Sequence, residues 1–156
     1  MMRTYVVGFV LDNQENTALL IKKTKPDWQK GRWNGIGGKI EVGEKPHEAM
    51  VREFWEETGV ETDEGEWLRV FELNDPGCVL YTYFFIGTEE RIREVMTTAK
   101  TTTEEQVKVV PMVDLNRWNA IHNLPWKLEF MRCYFNMYEQ RTEYPILPVK
   151  VDYYIP

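Results

Sequence analysis

The chain has 156 residues, 43% of them hydrophobic, and a net charge of −6. That length suits one globular domain, 1–156, able to bury roughly 70% of its unfolded surface without disulfides or metals. The acidic balance argues against polymeric nucleic acid as a partner, no stretch approaches the ~20 apolar residues that cross a bilayer, and an N-terminus without signal-peptide layout points to a cytoplasmic protein.

Tyr5–Leu11 and Ala18–Lys22 are β-branched or aliphatic runs separated by Asp12-Asn13-Gln14-Glu15-Asn16, the pattern of a hairpin. Residues 23–44 are polar and glycine-rich and read as loop. Pro46 at a first helical turn, Glu48 after it and Gly59 as a stop predict a helix over Pro46–Thr58. Trp67–Glu72 and Val79–Ile86 are strands around the turn signal Asn74-Asp75-Pro76-Gly77, and Gln106–Val110 is a further short strand. No element is predicted between Ile86 and Gln106. Leu128, Met131, Phe135 and Tyr138 recur at helical spacing and predict a second helix over Leu124–Tyr138. The tail from Thr142 to Pro156 reads as extended. Its Tyr144, Tyr153 and Tyr154 suit packing on the domain's own core or on a neighbour, so the oligomeric state stays open. Strand pairs joined by turns give an α/β class with a mixed sheet. Cys78 and Cys133 are too few and too far apart for a disulfide framework or a metal knuckle and read as core thiols.

Between the second strand and the first helix runs GRWNGIGGKIEVGE, Gly31 to Glu44, with five glycines in fourteen positions. Glycine admits positive φ and close backbone approach, so this is a shaped loop against which a ligand docks. On the helix that follows, Glu53, Glu56 and Glu57 stand at i, i+3 and i+4, spacings that share one helical face. Three carboxylates in one patch repel one another unless cations offset them, and oxygen-only ligation suits Mg²⁺ or Mn²⁺. A solvated acidic face is the plain alternative.

Read as one unit, residues 38–60 are GKIEVGEKPHEAMVREFWEETGV. The run resembles the Nudix hydrolase signature at every fixed position: Gly38, Glu44, Arg52-Glu53, Phe54, Glu56-Glu57, Gly59 and Val60. The resemblance implies the Nudix fold, a mixed β-sheet sandwiched between helices. It also implies hydrolysis of a nucleoside diphosphate linked to another moiety, by water attack on phosphorus with Mg²⁺ or Mn²⁺ bridging the phosphates. Carried onto this chain, Glu53, Glu56 and Glu57 are metal ligands joined by the Gly38 carbonyl, Arg52 orients them through a salt bridge, and Glu44 holds loop to helix. Family members often recruit one more carboxylate as ligand or general base. Glu105, nine residues ahead of Asp114, matches that spacing in nucleotide-sanitising members, while Glu104-Glu105 also read as solvated loop charges.

GRWNGIGGK further resembles the segment ahead of this motif in MutT-like enzymes that clear oxidised purine nucleoside triphosphates such as 8-oxo-dGTP. That likeness makes Asn34 a base reader, with Gly37, Gly38 and Lys39 on the substrate side, since one amide both donates and accepts along a purine edge. Asn beside glycine also serves as a turn residue, and Trp33 reads as packing. Asn123, in IHNLPW, stands where base-reading residues sit in the same subgroup and equally suits the N-cap of the last helix. Mammalian-type members carry paired aspartates there, and this chain has His122-Asn123, which leaves the oxidised base open. Pro76 resembles the downstream proline of ADP-ribose pyrophosphatases, a second reading alongside a non-catalytic nucleotide sensor.

Overall fold

In the computed structural model, which describes residues 2–138 and 149–152, the sheet is organised around one divergence of strands. β1 (Arg3–Asp12) and β2 (Thr17–Lys22) pair antiparallel only through Val10↔Leu19, Leu11↔Ala18 and Asp12↔Thr17. Beyond Leu19 the two part, and β2 continues against β3 (Trp33–Asn34) through Ile21↔Asn34 and Lys22↔Trp33. The loop after β3 fills the gap: Gly8 exchanges hydrogen bonds with Ile36 at 2.7 and 3.0 Å, Val6 donates to the Gly38 carbonyl at 2.9 Å, and Ile40 donates to Thr4 at 3.0 Å. The predicted loop thus contains a short strand and then hydrogen-bonds along β1.

β4 (Trp67–Asp75), β5 (Cys78–Phe85), β6 (Gln106–Pro111) and β7 (Val149–Asp152) complete a seven-stranded sheet of order β3-β2-β1-β5-β4-β7, with β6 on the other edge of β2. β1–β5 and β4–β7 are parallel and the remaining pairs antiparallel, so the sheet is mixed. The β4–β5 strands run longer than the turn signal suggested, leaving only Pro76-Gly77 between them.

α1 (Pro46–Thr58) has the predicted bounds. Pro46 fits the first turn, Glu48 accepts from the Lys45 amide at 2.9 Å, and Gly59 closes the helix in the left-handed conformation at φ 73°. Its Ala49, Met50 and Phe54 are buried against Val6, Val10, Trp67 and Tyr83. α2 (Glu89–Thr98) lies on the same face through Val95 and Met96 and is an element the sequence does not announce. Its apolar stripe is only Ile92, Val95 and Met96 in a charged segment, and the Thr88 hydroxyl caps it by accepting from the Arg91 amide at 3.2 Å. α3 (Leu124–Tyr138) covers the opposite face, its Leu124, Leu128 and Met131 packed with Val7, Phe9, Leu11 and Phe84. Helices therefore sandwich the mixed sheet, as the α/β expectation had it.

One expectation needs correction. Cys78 is half-buried and Cys133 exposed, so neither is a core thiol. The tail reading and Tyr144, Tyr153 and Tyr154 lie outside the described residues, apart from the stretch that forms β7 beside β4. No helix among the described residues is long and apolar enough to cross a membrane.

Candidate active site

The strand divergence lays Gly37-Gly38 between β1 and α1. A side chain at Gly37, where φ is +156°, would collide with the Val6 carbonyl of β1, and a Cβ at Gly38 would lie 2.5 Å from the Glu53 carboxyl. Only glycine lets the backbone pass this close to the acidic helix. The Gly37 amide donates to Glu57 Oε2 at 3.1 Å, so loop and helix are bonded at this point.

Arg52 organises the other carboxylates. Its Nε and Nη2 donate to the two Glu44 oxygens at 2.7 and 2.9 Å, its Nη1 to Glu53 Oε1 at 2.8 Å and Glu56 Oε2 at 3.2 Å, and Nη2 also to the Lys39 carbonyl at 3.0 Å. Glu44, which also accepts from the Glu41 amide at 2.9 Å, ties the loop to the helix. Hydrogen bonding to Arg52 holds the Glu44 carboxyl below its usual range. Burial pushes Glu53 up, against the pull of Arg52.

Glu57 is set apart. Burial raises its carboxyl to about 7, with Glu53 and Glu105 adding repulsion and Lys23 and the Gly37 amide countering it. Glu105 reaches this point because the segment before β6 runs along the end of α1: Lys100 donates to the Thr58 carbonyl at 3.1 Å, and the Thr102 hydroxyl bonds the Glu56 carbonyl. Glu105 is only 4% exposed, which corrects its reading as a solvated loop charge, whereas Glu104 is exposed. Lys23 Nζ lies 2.5 Å from Glu105, and the Thr24 amide donates to it at 2.6 Å. Burial opposes its ionised form, and Lys23 with Thr24 outweighs that, leaving the carboxyl below its usual range.

The three helix glutamates do not share one undivided patch. Glu53 and Glu56 converge on Arg52 while Glu57 turns to Gly37, and among the described residues no group of three acids is closed around a metal position. The donors still fit a hard divalent cation in kind: they are oxygens, Glu57 has no cationic hydrogen-bond partner among the described residues, and Glu53 and Glu105 repel it while Lys23 only attracts it from a distance. The Gly38 carbonyl already accepts from Val6, which leaves it one lone pair.

Asn34 is half-buried on β3. Its Oδ1 accepts from the Gly35 amide at 2.7 Å and its Nδ2 donates to Gln29 at 3.0 Å. β3 is stitched to the approach of α3, since Trp33 donates to the Asn119 carbonyl at 2.7 Å and Ile121 donates to the Trp33 carbonyl at 3.0 Å. Those bonds tie the neighbour of Asn34 to the segment leading into Asn123, whose carbonyl accepts the Lys127 amide at 3.1 Å as the helix begins. The Asn123 side chain has no hydrogen-bond partner among the described residues. Trp33 packs into the α3-side core, with Lys22 Nζ 5.6 Å over its ring. Lys39 is exposed beside Gly38. Lys23 and Gln29 escape sequence reasoning because a lysine and a glutamine in a polar loop carry no positional signal. A cleft of about 270 Å³ lined by Lys22, Lys23, Lys30 and Glu104 opens next to Glu105, and a broader one of about 530 Å³ lies beside Arg52, Trp55 and Asp63.

A family model described as NUDIX domain matches residues 2–132. The human diphosphoinositol polyphosphate phosphohydrolase 3-alpha is 41% identical over 78 residues, covering 49% of this chain and 45% of that protein. The mouse oxidized purine nucleoside triphosphate hydrolase is 38% identical over 61 residues, covering 39% and 37%. The chain thus spans less than half the length of these relatives. Among solved structures, a MutT from the study of Aliivibrio salmonicida and Vibrio cholerae superposes with a TM-score of 0.62 at 19% identity, covering 84% of this chain and 99% of that one.

Proposed function

The chain belongs to the NUDIX domain family, and from that premise we propose that it hydrolyses nucleoside triphosphates to the monophosphate and pyrophosphate, preferring purines and accepting oxidised ones. One observation carries the reading. A five-residue stretch joins the Asn34 amide to Gly37 and Gly38, which touch Glu57 and Glu53, so an amide able to read a base and the acidic face of α1 are linked through one short loop. The mouse relative's name adds support for an oxidised purine, and the human relative's name marks how far substrates vary among relatives.

Glu53, Glu56, Glu57, Glu105 and the Gly38 carbonyl are the groups that would hold Mg²⁺ or Mn²⁺, which when bound neutralises phosphate charge and activates water. Arg52 fixes Glu53 and Glu56 from one side, sparing them reorganisation during the reaction. Glu57, which accepts from the Gly37 amide, belongs to this ligand set and sits where the loop meets the acidic helix. Lys23 keeps Glu105 ionised and in place. Lys39 projects beside Gly38 to meet phosphate oxygens. A cytoplasmic nucleotide pool is the matching setting, with small nucleotides and not nucleic acid as partners.

The second reading is an ADP-ribose pyrophosphatase, on the strength of Pro76, which lies in the β4–β5 turn. Measuring kcat/KM for dGTP, 8-oxo-dGTP, dCTP and ADP-ribose in wild type and Asn34→Ala separates them. The triphosphate reading expects dGTP or 8-oxo-dGTP to lead, and the ranking to flatten in the variant with a selectivity loss of ~1–3 kcal/mol. A wild type that prefers ADP-ribose moves the chain to the second reading, and an unchanged ranking returns Asn34 to a turn residue.

A further inference from the structure

The β2–β3 hairpin that carries Asn34 is closed by its own connecting loop. Beyond the paired residues Ile21↔Asn34 and Lys22↔Trp33, the Lys23 amide donates to the Arg32 carbonyl at 2.9 Å and the Gly31 amide to the Lys23 carbonyl at 2.7 Å. Within that closure the Gln29 amide donates to the Pro26 carbonyl at 2.8 Å, and the Gln29 carbonyl accepts from the Arg32 amide at 2.9 Å. Trp28 and Lys30 on either side are exposed, whereas Gln29 is half-buried, because its side chain folds back to Asn34. There Gln29 Oε1 accepts from Asn34 Nδ2 at 3.0 Å, while Asn34 Oδ1 accepts from the Gly35 amide at 2.7 Å. The two bonds grip opposite ends of one carboxamide. Each end keeps capacity for a ligand, one Nδ2 hydrogen and one Oδ1 lone pair. Turning the amide over would set its NH2 against the Gly35 N–H and its oxygen against Gln29 Oε1, so the pair of bonds fixes which end points where.

Resting on the triphosphate reading above, we propose that Gln29 is a positioning residue for base selection: its Oε1 holds the Asn34 amide in the one orientation that a base meets. The terminal torsion of an asparagine is broad, so an unheld amide presents donor and acceptor in either sense. Held at both ends it presents one sense, and a base whose edge does not match leaves a polar group without a partner. The Gly35 amide grips only the oxygen end and leaves Nδ2 to water. Selectivity thus depends on a loop, residues 23–32, that lies outside the glutamate-bearing helix and the glycines before it.

The test compares the ratio of kcat/KM for dGTP to that for dCTP in wild type, Gln29→Ala, Gln29→Glu, Asn34→Ala and the double variant of the two alanines. Gln29→Ala is expected to shrink the ratio ~3-fold or more, the value of a neutral hydrogen bond. Gln29→Glu keeps an acceptor oxygen for Nδ2 and is expected to hold the ratio within about 2-fold of wild type, whatever its charge does to both substrates alike. A residue that acts only through Asn34 has nothing further to lose once that amide is gone, so the double variant should match Asn34→Ala. Loss in Asn34→Ala without loss in Gln29→Ala overturns the proposal alone, as does an equal loss in Gln29→Glu or a further drop in the double variant. No loss in either alanine variant fails the base reading of Asn34 and the proposal with it. The side-chain amide resonances of Asn34 in proton–nitrogen NMR give a readout independent of turnover. In Gln29→Ala they should shift and exchange faster with solvent, and in Gln29→Glu they should stay protected, whereas resonances indifferent to Gln29→Ala overturn the assignment. A wild type that cleaves neither nucleotide fails the triphosphate reading, and the resonances then decide the Gln29 contact.

Discussion

Arg52 and Glu44 are joined by two parallel hydrogen bonds, Nε to Oε1 at 2.7 Å and Nη2 to Oε2 at 2.9 Å, while Nη1 of the same guanidinium reaches Glu53 and Glu56. One planar group thus anchors to the loop and aims two helix carboxylates. A lysine is a point charge and cannot do both. Arg52→Lys is expected to lower kcat ~10-fold or more and stability by about 1–3 kcal/mol. Steady-state kinetics beside denaturant melts check this, and an unchanged kcat would remove Arg52 from the catalytic arrangement.

Glu57→Gln keeps the size of the side chain and an oxygen to accept from the Gly37 amide. It removes a buried carboxylate whose ionisation is opposed by burial and by Glu53 and Glu105. Turnover is expected to fall ~10²-fold or more while the melting temperature in chelator stays level or rises. Near wild-type turnover would contradict the placing of Glu57 at the reaction centre.

The paired glycines should fail differently. An alanine at Gly37 meets backbone, the Val6 carbonyl, and Gly37→Ala is expected to destabilise the fold itself. At Gly38 the obstacle is the Glu53 carboxyl, a side chain that can move, so Gly38→Ala should stay folded and lose activity. Thermal melts and kcat on both variants separate the cases. A fully active Gly38→Ala would mean that the position of Glu53 is not needed.

Why these features differ in legibility follows from their physics. α1 and α3 have the bounds their signals predict, because Pro46, Gly59 and the α3 apolar spacing are local cues. α2 is hidden because three inward residues among charges and threonines give too weak a periodicity. β3 is hidden because two residues pair only where β1 and β2 diverge, a tertiary event. The Arg52–Glu44 tie spans eight residues and lies inside the motif, whereas Glu105 meets Lys23 from 82 positions away, and no local pattern announces that. Lys127 sits on the inward stripe of α3, where a charged residue reads as solvent-facing until packing is known.

Lys127 also predicts a pH dependence of stability. An unfolded lysine holds its proton to about 10.5, and burial lowers Lys127 to about 8 in the folded chain. Between those values the unfolded state binds more protons, so stability rises with pH through this window, by on the order of 3 kcal/mol at most. The ionisable residues at facing strand positions are Arg3, Tyr5, Lys22, Asp75, Cys78 and Lys108, and burial is the only cause acting on Lys127. Urea titrations from pH 7.5 to 10.5 on wild type and Lys127→Met measure it. The variant should lack the rise, and parallel curves would show that the amine is not held in apolar surroundings.

Metal-assisted cleavage that releases pyrophosphate is tested most directly by following dGTP by phosphorus NMR with purified protein. With Mg²⁺ present, dGMP and pyrophosphate should grow in together, and excess EDTA should stop both while the circular dichroism spectrum is unchanged. Release of dGDP and inorganic phosphate, or an undiminished rate in EDTA, would contradict it.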